Sequence, residues 1–82
     1  MRQQVIVADE SADRLGQLTK AQLRIVRALV DGRLNKQIAH DLGLGEATVK
    51  SHLAAAFRKL GVRNRTQAAM LIQAVEAQSG HA

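Results

Sequence analysis

Apolar residues recur along most of this chain at spacings of three and four, the period of an amphipathic helix, and glycines cut the pattern into segments. Leu23, Val26, Leu29 and Val30 form the first inward-facing set, and Gly32 closes it. Just upstream, Thr19-Lys20-Ala21-Gln22 has the form of a capping box. The Thr19 hydroxyl can accept from the third amide while Gln22 reaches back, and Leu18 can staple onto Leu23. A short second helix, about Asn35 to Leu42, turns Ile38, Ala39 and Leu42 inward. A third runs from Glu46 to Leu60. A fourth opens at Asn64-Arg65-Thr66-Gln67, another cap-plus-Gln pattern, and reaches about Ala77. The expected class is all-α: four helices in a folded domain over residues 18–77. A short N-terminal arm, 1–17, flexible or partly ordered, precedes it, and a disordered tail, 78–82, follows.

The second and third helices are separated by a few residues around Gly43, with Leu44 placed to fill the gap between them. This is helix-turn-helix spacing, although a glycine between two short amphipathic helices is also common in generic helical bundles. The third helix carries more information. At about 100° per residue, Val49, Leu53, Ala56 and Leu60 share one stripe, with Phe57 at its edge, and form the core face. The opposite stripe holds Ala47, Lys50, Ser51, Ala54 and Arg58. Short side chains there let the backbone approach base edges, whereas an ordinary solvated face carries long polar side chains at many positions. An Ala-rich exposed helix held by propensity is the competing reading.

Charge sharpens the choice. Residues 19–66 hold ten Lys or Arg against Asp31, Asp41 and Glu46, while residues 1–18 are slightly acidic. A basic excess in the middle of the chain suits a polyanion, although many soluble helical domains carry a few excess charges. Lys36, Lys59, Arg63 and Arg65 flank the stripe within reach of phosphates, and Thr48 can cap its own helix or touch phosphate. Phe57 is the only aromatic residue, which disfavours recognition of single strands by base stacking and points to duplex. There is no cysteine, so no disulfide framework or thiolate metal site, and His40, His52 and His81 fit no ligand spacing. His52 is expected to pack or to contact phosphate. Residues 1–7 are too short and polar for a signal peptide, and no run has membrane-spanning length. A soluble cytoplasmic protein is expected, nucleoid-associated when bound, with no cofactor and no membrane partner.

With these residues assembled, the chain resembles the LuxR-type helix-turn-helix domain of bacterial transcription regulators, also called the NarL/FixJ or GerE type. The resemblance rests on Leu18-Thr19, Gly32, Asn35-Lys36-Gln37-Ile38-Ala39 and Leu42-Gly43-Leu44, and continues through Glu46 to Leu53 and Arg58 to Ala68. It implies a four-helix domain that binds DNA as a dimer, with the third helix in the major groove and the fourth forming the dimer contact. Carried over by position, Lys50 and Ser51 fall where base edges are touched, and Asn35, Lys36 and Thr48 fall near the phosphate backbone. Ala47 and Ala54 join the base-facing set, and Arg58, Lys59, Arg63 and Arg65 the phosphate set. Leu71 and Val75 are the expected dimer seam, with Ala68 and Ile72 turned toward the core. The departures are Ala21-Gln22 where the family has Arg-Glu, Gly45 where it often has serine, and Ala54 at a position that is polar in some members.

The expected function is sequence-specific binding of double-stranded DNA as a bacterial transcription regulator or its effector domain, a role that would also bring it to RNA polymerase. The alternative is a protein-interaction module that pairs through its fourth helix with another regulator, since Ala68 to Ala77 leave little of that helix polar. No enzyme is expected: paired carboxylates, a nucleophile with its base and a phosphate-binding glycine loop are all missing. Gln4 to Glu10 resemble the first strand and acidic end of a receiver domain. The chain has no room for the later phosphoacceptor, so a flexible or partly helical arm is expected instead.

Overall fold

A computed structural model describes residues 8–79, and among them five helices: α1 (Ala8–Gly16), α2 (Lys20–Val30), α3 (Asn35–Leu42), α4 (Glu46–Leu60) and α5 (Arg65–Ser79). The four helices read from periodicity are α2 to α5. The core is one cluster in which Ile25, Val26, Ile38, Val49 and Leu60 are fully buried, joined by Leu53, Ala56, Ala68, Leu71 and Ile72. α2 packs on α4 and α5, α3 packs on α4, and α1 lies against α5 and α4. Deleting one of these buried side chains, as in Leu60→Ala, removes about 2–5 kcal/mol.

Local chemistry sets the helix ends. At α2, the Thr19 Oγ1 accepts from the Gln22 amide at 3.1 Å, and Gln22 Oε1 accepts from the Thr19 amide at 3.0 Å, so the capping box is complete. At α5, the Asn64 side chain accepts from the Gln67 amide at 2.9 Å. Gln67 reaches back one residue further than a capping box requires, to the Arg63 amide at 2.7 Å. α3 and α4 stop in the same way. Gly43 and Gly61 adopt left-handed φ values of 68° and 71°, which only glycine takes without strain. The amides after them then bond back to helical carbonyls: Leu44 to Ala39 at 2.9 Å and Val62 to Phe57 at 3.0 Å. This six-to-one closure is the Schellman ending, and at Gly43 it produces the sharp turn between α3 and α4. Leu44 is half-buried against the core at that turn, where the sequence places it.

Two expectations change. The inward face of α2 is built on Gln22, Ile25, Val26 and Leu29, whereas Leu23 is half-buried beside Lys20, Arg24 and Arg27 on the other side. The expected seam residue Leu71 is 2% exposed and belongs to the core, and Val75 is half-buried against it. From Ala68, steps of three, four and seven all return to the inner side of α5, so Leu71, Ile72 and Val75 follow it inward. Met70, 52% exposed, lies on the outer side with Thr66 and Gln73. α1 is a helical stretch within the N-terminal arm. Ser11 and Leu15 face inward from it, and the Arg14 guanidinium makes a long 3.4 Å bond to the Leu60 carbonyl at the end of α4. Of the segment compared above with a receiver strand, Ala8, Asp9 and Glu10 are helical, and residues 4–7 lie outside the described residues.

Candidate nucleic-acid interface

α4 presents two unlike faces because its sequence has two unlike stripes. Val49, Ala56 and Leu60 are fully buried and Leu53 nearly so. Ala47, Lys50, Ser51, Ala54 and Arg58 are all exposed. Three of these five carry no more than a methyl or hydroxymethyl group, so the α4 backbone stands close to the surface along the stripe. Lys50 and Arg58 supply the long cations, two turns apart. Phe57 and His52 are half-buried at its margins.

The first turn of α4 is open. Gly45 sits at the N-cap in extended conformation with no side chain to accept from the amides that follow, and Thr48 is exposed beside them. The start of α3 is organised similarly. Leu34 occupies its N-cap, and only half of a capping box forms there, Gln37 Oε1 accepting from the Leu34 amide at 2.9 Å. Leu34 is itself 66% exposed. Asn35 is half-buried in the first turn of α3 and Lys36 is exposed.

The expected cations are not equivalent. Lys59 donates to Gln22 Oε1 at 2.9 Å and to the Gln17 carbonyl at 3.3 Å, so two of its three donors tie α4 to the start of α2. One helical step separates it from Arg58, which turns it off the small-residue stripe. The reading of Lys59 as a phosphate contact gives way to a packing role. Arg63 and Arg65 are exposed at the start of α5, and the Arg65 guanidinium lies over the Gly32 turn that leads into α3. Arg33, which had no assigned role, is held by Asp41. The structure therefore keeps Lys36, Lys50, Arg58, Arg63 and Arg65 as outward cations and withdraws Lys59. Two groups escaped the sequence reading: Arg14, with no partner legible from its own segment, and Met70, whose four-residue spacing from Thr66 was the available signal.

The profile described as bacterial regulatory proteins of the luxR family matches residues 16–72. The glycerol metabolism activator of Pseudomonas putida is 49% identical over 51 residues, covering 62% of this chain and 23% of that protein. The nitrate/nitrite response regulator protein NarP of Escherichia coli is 42% identical over 59 residues, covering 72% and 27%. The spore germination protein GerE of Bacillus subtilis is 41% identical over 51 residues, covering 62% and 69%. The chain therefore spans about a quarter of the length of the first two relatives and most of GerE. No solved structure matches the chain.

Proposed function

The chain belongs to the luxR family of bacterial regulatory proteins, and from that premise we propose that it binds double-stranded DNA in a sequence-selective way to regulate transcription. One observation carries the reading: the exposed stripe of α4 combines small residues at Ala47, Ser51 and Ala54 with cations at Lys50 and Arg58. Small residues admit the helix to the major groove, Lys50 reaches base edges, and apolar methyls at Ala47 and Ala54 suit thymine. Asn35, Lys36, Thr48, Arg58, Arg63 and Arg65 hold the phosphates on either side, fixing register without reading sequence. Ser51 supplies a hydroxyl that donates or accepts at a base edge.

Binding is as a dimer through α5, with Met70 at the centre of the contact and Thr66 and Gln73 beside it. Met70 is an exposed apolar side chain on the outer face, and a flexible thioether adapts well to a self-complementary contact. The same exposure favours a second reading, in which α5 pairs this chain with a different regulator and DNA binding is secondary. A salt titration on duplex and single-stranded oligonucleotides tests the main reading. Duplex affinity should exceed single-strand affinity and fall log-linearly with salt as counterions are released. Equal or tighter binding to single strands at every salt concentration removes it.

A further inference from the structure

α2 carries a second basic surface that the DNA contacts do not use. At about 100° per residue, Lys20, Arg24 and Arg27 share one stripe, opposite the inward Gln22, Ile25, Val26 and Leu29. All three cations are exposed, and with the half-buried Leu23 they border one shallow open depression. The inner face of α2 packs against the inner face of α4. The outward stripes of the two helices therefore look away from each other across the core, and a duplex seated on Ala47, Ser51 and Ala54 does not reach Lys20 or Arg24.

We propose that the α2 surface formed by Lys20, Leu23, Arg24 and Arg27 docks an acidic, amphipathic segment of a partner protein while α4 is free to hold DNA. Three features define that chemistry. The cations are spaced one helical turn apart, which matches carboxylates at the same spacing on a facing helix. Leu23 sits among them, so the surface rewards an apolar side chain as well as negative charge, and a phosphodiester backbone has no such group to offer. Arg27 is held by Glu76 on α5, which fixes the rim of the surface and leaves Lys20 and Arg24 as the cations that take the partner's acids. Size favours the same partner. From Lys20 to Arg27 the stripe rises about 10 Å, two turns of helix, which suits a peptide face better than the phosphate run of a second duplex.

The test uses the full 82-residue chain, isotope-labelled for amide spectra, and a synthetic amphipathic peptide with glutamates on one stripe and leucines on the adjoining one. Its analogue with glutamines in place of the glutamates is the control. Titration without DNA keeps the result independent of the DNA reading. Amide shifts should concentrate on α2, persist when duplex is added, and be absent with the glutamine analogue. Lys20→Gln with Arg24→Gln should lower peptide affinity about tenfold or more while leaving base preference on duplex unchanged. No α2 shifts at millimolar peptide, shifts centred on α4, equal binding of the analogue, or displacement by duplex each overturn the proposal. Binding of a second duplex that disappears in the α2 double variant makes the surface a nucleic-acid contact, and the acidic-segment assignment fails.

Discussion

Lys59 on α4 and Gln22 on α2 meet at 2.9 Å, Nζ to Oε1, and the same oxygen accepts from the Thr19 amide at 3.0 Å. One neutral amide oxygen thus serves two donors, a helix-capping amide and an ammonium, in a nearly buried place. A carboxylate there would be a stronger acceptor for both and would also complement the positive end of α2. Gln22→Glu is therefore expected to raise stability by about 1 kcal/mol at low salt, or about 4–8 °C in Tm for a domain of this size. Lys59 is exposed, so the gain should shrink as salt rises. Thermal melts of Gln22→Glu in wild-type and Lys59→Ala backgrounds check the origin. A gain that survives loss of Lys59 belongs to the helix dipole and not to the pair.

Leu34 occupies a helix N-cap without an accepting atom, while Gln37 already supplies the reciprocal bond. Leu34→Ser should complete the box and add about 1 kcal/mol, with little burial lost because Leu34 is 66% exposed. The urea midpoint should move up with an unchanged slope. A lower midpoint would mean that Leu34 contributes through packing.

Lys50 and Lys36 are both exposed, yet they stand on different helices of the turn. Lys50→Ala is expected to cost about 1–3 kcal/mol at the preferred site and to relax preference at one or two base pairs, guanine foremost. Lys36→Ala should weaken all sequences about equally and lower the salt slope by about one unit. Selection from a randomised half-site with each variant separates the two roles. A Lys50→Ala protein that keeps the wild-type preference while losing affinity makes Lys50 a phosphate anchor.

Met70 and Leu71 are adjacent in sequence and opposite in consequence. Met70→Glu should leave stability within about 0.5 kcal/mol, since the side chain is exposed. It should also abolish the two-protein complex on an inverted repeat with half-sites roughly 34 Å apart. Leu71→Glu places a charge at a site 2% exposed and should unfold the domain. Circular dichroism and sedimentation, with and without the duplex, distinguish them. If Met70→Glu still forms the two-protein complex, α5 is not the dimer contact.

Where the sequence spoke clearly, it did so through local chemistry. The Thr19–Gln22 box, the left-handed Gly43 and the four-residue core stripe of α4 each involve residues close together in the chain, and all three stand in the structure. What was illegible depended on partners far away. α5 is apolar on nearly every side, so its own pattern could not say which side is inner. Packing against both α2 and α1 decides that Leu71 goes in and Met70 stays out. α1 offers Leu15 as its one large apolar residue beside a buried Ser11, too little periodicity to announce a helix. Lys59 looked like a free cation because its acceptors, Gln22 and the Gln17 carbonyl, belong to another helix and a turn. The misplacement of Leu23 had a similar source. Ile25, two residues on and about 200° around the helix, fits the inner face better once α4 and α5 are both in place.

The packing of α1 on α5 joins the two ends of the described chain, whereas the turn between α3 and α4 closes within a few residues. Loop-closure entropy makes such an end-to-end contact the slowest to be rewarded during folding. α2 to α5 are therefore expected to assemble first, with α1 arriving after the rate-limiting barrier. Weakening the contact, for example by Leu15→Ala, would then leave the refolding rate nearly unchanged and accelerate unfolding. The N-terminal helix acts as a brake on opening, governing how long the folded domain lasts rather than how quickly it forms.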